Sequence, residues 1–134
     1  MRAQAAMEYL ILIGFILALV IPLIALFYSQ SADTATQVNT QQAHALGQKI
    51  ADTAESVYYL GQPSKLEFRA NVPDNINSVT FTNKAIIFVM DVSPGTTDVV
   101  VPTTVNLTGT ISVTPGVHMI TVENKGGYVL VNST

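Results

Sequence analysis

The chain contains one long apolar stretch without a charged residue, which runs from Leu10 to Tyr28 and is called the apolar segment below. Its 19 residues form about 28 Å of α-helix, close to the ~30 Å hydrocarbon core of a bilayer. A cleavable secretory signal has a shorter apolar region, followed by a small-residue cleavage site. We therefore expect the apolar segment to stay on the mature protein as a membrane anchor. Arg2 places the N-terminus in the cytoplasm by the positive-inside rule, and Tyr28 suits the opposite interface.

The helical pattern continues beyond the apolar segment. Residues 29–60 are rich in Ala, Gln, Thr and Asp, and Gly47 is their one helix breaker. We predict a single helix from Gln4 to about Leu60, ended by Gly61 and Pro63. Within it, apolar residues recur at the three- and four-residue spacing of one helix face. These residues are Ala43, Leu46, Ile50, Ala54 and Val57.

Two properties of this helix remain open at the level of sequence. Pro22 lacks an amide N–H, and together with Gly14 it is the expected position of a kink. The polar half of the helix allows two interpretations. It is either a linker helix packed on the rest of its own domain, or a stalk whose narrow apolar face needs neighbouring molecules.

The second half of the chain has the pattern of a small β domain. From Ser64 onward, short runs rich in Val, Ile, Thr and Phe alternate with Pro, Gly, Asn and Asp. We predict a single sheet of five to seven antiparallel strands, one face of which packs on the polar half of the helix. The sequence ENKGGY is typical of a hairpin loop, and Pro102 marks an edge, a bulge or a break between strands. The expected fold class is α+β.

The sequence contains no recognisable catalytic or ligand-binding motif. The two histidines, His44 and His118, lie far apart in the sequence and lack the partners of a metal site. The chain has no cysteine, which excludes disulfides and thiolate chemistry. Its net charge is −3 with scattered lysines and arginines, a pattern that does not favour nucleic-acid binding. We expect neither an enzyme nor a cofactor or metal site.

Two triplets match the acceptor pattern for N-glycosylation. They begin at Asn106, in Asn-Leu-Thr, and at Asn132, in Asn-Ser-Thr. If the β domain is exported, both are candidate glycan sites. Each is equally compatible with an ordinary polar residue of a strand or tail.

Glu8 is the residue that a simple anchor does not explain. An ionised carboxylate beside an apolar segment costs free energy, although less near the interface than at the bilayer centre. The cost falls if the charge meets a cation, and a free α-amino group is a cation near neutral pH. A cut just before Gln4 creates such a group. Packed against the Glu8 of another copy, the new terminus neutralises that carboxylate, which predicts both cleavage and helix-on-helix assembly.

The N-terminal sequence RAQAAMEYLILI resembles the class III signal peptide of archaeal type IV pilins. That family has a short basic leader, a cut, and a glutamate followed by aromatic and apolar residues. The resemblance implies cleavage between Ala3 and Gln4, with Glu8 as the signature glutamate. Ala6 departs from the pattern, since many relatives have Ser at this position. The C-terminal sequence TPGVHMITVENKGGYVLVN is similar to the closing strands of such pilins.

The resemblance implies four parts: a leader (1–3), an apolar helix (4–28), an amphipathic stalk helix (29–62) and an antiparallel β domain (63–134). It implies a lollipop-shaped structural subunit of an adhesive surface filament, with helices bundled in the core and β domains outside. The precursor would lie in the cytoplasmic membrane, with its N-terminus inside. Its partners would be other copies, a prepilin-peptidase-like enzyme and an assembly platform. Alternatives are a minor pilin-like component of a secretion or uptake machine, an archaellum subunit, and a monomeric single-pass surface protein.

Overall fold

A computed structural model describes residues 1–92 and 94–134. The chain divides into two compact units, Met1–Thr36 and Gln37–Thr134. The first unit is helical, and the second contains the rest of the same helix and all the described strands.

The single N-terminal helix is confirmed. Helix α1 spans Arg2–Leu60, so it begins two residues before the expected start at Gln4. It is continuous through Gly14 and Pro22, and neither residue ends it. The kink expected at these two positions stays a prediction.

The end of α1 follows from the local chemistry of Gly61. This residue has a φ of +81°, the left-handed conformation that glycine adopts without a side-chain clash. Its N–H donates to the Tyr58 carbonyl at 3.2 Å, which satisfies one of the free carbonyls at the helix end. The predicted termination at Gly61 is confirmed.

The apolar face predicted for the polar half of α1 is confirmed and lies in the core of its own unit. All five residues of the predicted pattern are buried, as are Gly47 and Ala51 between them. The first interpretation is therefore correct for this face, because it packs within the domain and leaves no apolar stripe for neighbours. The residues that it packs against come from both sheets.

Seven strands form two sheets. Strands β1, β6, β7 and β5 form one sheet in that order, and β2, β3 and β4 form the other. The strand bounds are β1 Lys65–Val72, β2 Ile76–Thr82, β3 Ala85–Asp91, β4 Thr96–Pro102, β5 Leu107–Thr110, β6 Gly116–Asn124 and β7 Val129–Ser133. Pro102 is the last residue of β4, which is an edge strand of its sheet, so two of the three predicted placements, an edge and a break between strands, are confirmed. The hairpin predicted at ENKGGY is also confirmed, since β6 and β7 pair antiparallel.

The prediction of a purely antiparallel domain is wrong for one strand pair. β5 pairs with β7 in parallel, with Leu107 opposite Val129 and Thr110 opposite Asn132. The order of the strands in the sheet explains the parallel pair. β7 lies between β6 and β5, so it pairs with β6 along one edge and with β5 along the other. The β6–β7 hairpin returns the chain in the direction of β5, which makes the pair parallel. The prediction also described a single sheet, whereas the strands form two.

The core of the second unit lies between the buried face of α1 and the inner faces of both sheets. Its largest fully buried side chains are Ile50, Ile86, Phe88, Met90 and Ile120. Alternation along β3 shows the pattern clearly, since Ile86, Phe88 and Met90 are buried while their neighbours are more exposed. Burial of these apolar side chains stabilises the unit without any disulfide, since the chain has no cysteine.

Candidate membrane and assembly segment

The apolar segment is uncovered along its whole length. Every residue from Leu10 to Tyr28 is exposed, and the large side chains Phe15, Leu23 and Phe27 are each more than 60% exposed. Transfer of such side chains out of water is worth about 1.5–3 kcal/mol each. An exposed apolar surface of this extent marks a contact with a membrane or another protein. By length and composition, α1 is the helix in the described chain that could cross a membrane.

Glu8 lies two residues before the apolar segment and is exposed. The ion pairs within the described residues are Lys65–Glu67 and Lys125–Glu123, so the Glu8 carboxylate has no cation within 4.0 Å there. Gln4 lies four residues earlier, on the same helix face as Glu8. A positive terminus at Gln4 would therefore be on the side of the helix that carries the carboxylate.

Ala3 and Gln4 lie in the first turn of α1, and both are exposed. The Ala5 N–H donates to the Met1 carbonyl at 3.3 Å, a long bond. First turns fray readily because few backbone bonds hold them. The peptide bond between Ala3 and Gln4 is thus accessible, as cleavage requires.

Gly14 and Pro22 lie inside the apolar segment. A Cβ atom added at Gly14 would meet nothing within 4 Å, so the chain itself does not require glycine here. Pro22 removes one backbone donor from the helix, which leaves the Ala18 carbonyl without its usual partner. Within a bundle, Gly14 would allow close approach of a neighbouring helix.

The apolar segment ends in a pair of aromatic residues and then a polar stretch. The rings of Phe27 and Tyr28 pack edge to face, with centroids 6.4 Å apart. Thr34 donates to the Gln30 carbonyl at 2.8 Å, and Thr36 donates to the Ala32 carbonyl at 3.2 Å. The composition therefore changes from lipid-compatible to water-compatible over one turn, as at a membrane interface.

The other residues singled out in the sequence are dispersed over the second unit. His44 is exposed on α1, and the His118 Nε2–H donates to the Thr114 carbonyl at 2.8 Å. Among the described residues, no group of three or more His, Asp or Glu side chains could hold a metal ion. Asn106 precedes β5 and Asn132 lies in β7, and both are exposed.

The structure also shows two features that the sequence analysis missed. Asn124 is buried and bonds to the end of α1. A groove of about 400 Å³ between α1 and β1 carries Lys49 and Arg69. The signal for the groove was indirect, because Lys49 directly precedes the buried Ile50 and so flanks the face that packs on the sheets.

Comparison with protein-family models, curated proteins and solved structures found no match to this chain. The architecture is pilin-like, because an apolar N-terminal helical segment continues into a helix that packs on C-terminal β-sheets. The apolar segment is compatible with membrane anchoring or with a signal sequence.

Proposed function

We propose that this protein is the structural subunit of a type IV pilus-like surface filament, held in the membrane by the apolar segment before assembly. The observation that carries the proposal is the complete exposure of that segment in a chain whose second unit has a core of its own. The apolar face of residues 43–57 is satisfied internally, so the surface that still needs a cover is the segment itself. A bilayer covers it in the precursor, and neighbouring helices cover it in the filament.

Glu8 supplies the link between cleavage and assembly. A prepilin-peptidase-like enzyme cuts between Ala3 and Gln4 and creates an α-amino group. This cation pairs with the Glu8 carboxylate of an adjacent copy inside the apolar bundle. Charge pairs in a medium of low dielectric are strong, and an unpaired buried carboxylate is costly, so the pair fixes the stagger between copies. An assembly platform receives the cut subunit, and the β domains face outward, where Asn106 and Asn132 can carry glycans and the filament serves adhesion.

N-terminal sequencing of protein sheared from cells tests the proposal. Filaments whose subunit begins at Gln4 are the expected result. The intact mass of the same sample reports whether Asn106 or Asn132 carries a glycan. A chain that keeps Met1 and stays in the membrane fraction would refute the filament and favour a monomeric single-pass surface protein.

Glu8→Ala separates cleavage from assembly. The variant should still be cut before Gln4, because the cut site is unchanged, but its filament yield should fall by about tenfold or more for the loss of a buried charge pair. Asp33→Ala is the matched control, since Asp33 is an exposed acid on the same helix outside the apolar segment. Unchanged filament yield with Glu8→Ala would disprove the neutralisation step.

A further inference from the structure

The charged residues that line the groove between α1 and β1 are all basic. Its cations are Lys49 and Arg69, two of the chain's six lysines and arginines, and no acid lines it. Short apolar side chains and two amides complete it. We call it the basic groove; its lining residues are Gln42, Ala45, Leu46, Lys49, Arg69, Ala70 and Asn71.

Among the described residues, no acid forms an ion pair with the cations of the basic groove. The ion pairs of the described residues lie elsewhere, at Lys65–Glu67 and Lys125–Glu123. The Lys49 ammonium lies 4.8 Å from the centre of the Phe68 ring and donates to the Arg69 carbonyl at 3.4 Å. These contacts hold the lysine in place and leave its charge available to an external acid.

The three-stranded sheet has an outer face of the opposite sign. Its outward positions on β3 and β4 alternate with buried ones. Asp98 is opposite Val89, two residues from Asp91 on the same face, so the two acids are diagonal neighbours about 7–8 Å apart. Val100, also outward, is 52% exposed. We call this surface, made of Val89, Asp91, Asp98 and Val100, the acidic face.

We infer that the acidic face of one copy docks in the basic groove of a second copy. Each surface combines short apolar side chains with charges of a single sign, and the signs are opposite. A chain of net charge −3 repels its own copies unless acids meet cations at the contact. Two different surfaces of the same chain can repeat such a contact from copy to copy. The inference rests on the proposed function, since it assigns the contact between β domains in the same filament.

The contact is weak by itself and effective in an assembly. Exposed ion pairs are screened by salt, and each contributes little alone. Copies already joined through the apolar segment hold their β domains at a high effective concentration. A contact that is weak between free chains is then formed in a large fraction of the copies. The contact should therefore be salt-sensitive.

A charge exchange within full-length protein tests the docking. Arg69→Glu and Asp98→Arg are each expected to lower the filament yield at low salt by about two- to fivefold, since each places like charges together. The double variant restores the opposite signs and should recover most of the yield. Lys84→Glu is the matched control, because Lys84 is an exposed cation outside both surfaces. Single variants that assemble like wild type, or a double variant no better than the singles, would overturn the inference.

Cross-linking tests the contact without relying on filament yield. Full-length chains labelled with ¹⁴N and ¹⁵N are mixed and assembled, or mixed in detergent if no filament forms. A carbodiimide then joins amines to nearby carboxylates. Mixed-isotope peptides that join Lys49 to Asp91 or Asp98 are expected in filaments, and also in detergent at a chain concentration high enough for this weak contact to form. If these peptides form in detergent and no filament does, the docking holds and the proposed function fails. Peptides from a single chain only, or from Lys49 joined to a different protein, would overturn the docking while filaments of wild-type protein would still support the function.

Discussion

Asn124 shows how much of this domain depends on one polar side chain. It is 5% exposed, and its amide nitrogen donates to the carbonyls of Val57 and Tyr58, each at 3.1 Å. Its side-chain oxygen accepts from the Gly126 N–H at 2.8 Å. One residue thus satisfies two carbonyls at the end of α1 and shapes the β6–β7 hairpin. The last carbonyls of a helix have no partner within the helix, and here a side chain from β6 supplies hydrogen bonds to two of them.

Asn124→Ala should destabilise the protein by about 2–4 kcal/mol, because three hydrogen bonds made by a buried side chain are lost together. Asn124→Asp should be at least as destabilising, since a carboxylate would face two carbonyl oxygens that it cannot bond. Asn106→Ala is the control. Because this side chain is exposed, we expect its removal to change the free energy of unfolding by no more than about 0.5 kcal/mol. Denaturant unfolding of the full chain in detergent measures all three. Equal stability of the Asn124→Ala variant and wild type would contradict this role.

The contrast between Glu8 and Asn124 shows what a sequence can reveal about single residues. Glu8 stands out because its neighbours along the chain are apolar, so its exceptional character is local. Asn124 bonds to residues 66 and 67 positions away, through a strand register that no local pattern specifies. The buried face of α1 was predictable for the same reason as Glu8, since helical periodicity is a local property.

At the scale of the elements, the spacing between α1 and the three-stranded sheet depends on Gly47. A Cβ atom added at Gly47 would lie 2.6 Å from the Val101 Cγ2 and 2.8 Å from the Phe88 Cε2. Both atoms belong to buried side chains of the core. The glycine that looked like a helix breaker therefore lets the helix approach β3 and β4 closely.

Gly47→Ala should be destabilising by up to about 2 kcal/mol, although alanine is the better helix former. The overpacking cost of about 1–3 kcal/mol exceeds the helix-propensity gain of about 1 kcal/mol. Gly14→Ala is the matched control, because its added Cβ would meet nothing within 4 Å. Unfolding of the unit Gln37–Thr134, followed by near-ultraviolet circular dichroism of Tyr58, Tyr59 and Tyr128, compares the two variants. A stabilised Gly47→Ala variant would show that the helix can move away from the sheet without cost.

The elements themselves were largely predictable, and their arrangement was not. Periodicity gave the helix, its buried face and the number of strands. The parallel pair of β5 and β7 depends on Gly109, whose φ is +136° and whose Cβ, if present, would collide with the Val131 carbonyl. In the sequence, nothing distinguishes Gly109 from a glycine in an ordinary turn. The pairing of β5 with β7 is decided by the tertiary structure, because the order of the strands in the sheet determines which strand lies next to β5.

At the scale of the whole molecule, the two units meet different requirements for burial. The buried hydrophobic side chains lie between Ala43 and Val131, all of them in the unit Gln37–Thr134. The unit Met1–Thr36 buries no side chain of its own. One unit therefore completes its core within the chain, and the other depends on lipid or on further copies.

This division predicts that a fragment of residues 37–134 folds without the apolar segment. It keeps the whole hydrophobic core and both sheets, so it should be soluble without detergent and unfold in one cooperative transition. It should be monomeric at micromolar concentration, because the contact between the basic groove and the acidic face is weak without helices to hold the copies together. Light scattering after size-exclusion chromatography gives the mass, and calorimetry gives the transition. Full-length chain, handled in the same way, should need detergent to stay in solution. A fragment that aggregates, or that melts without a cooperative transition, would show that the core of the β domain depends on the N-terminal segment after all.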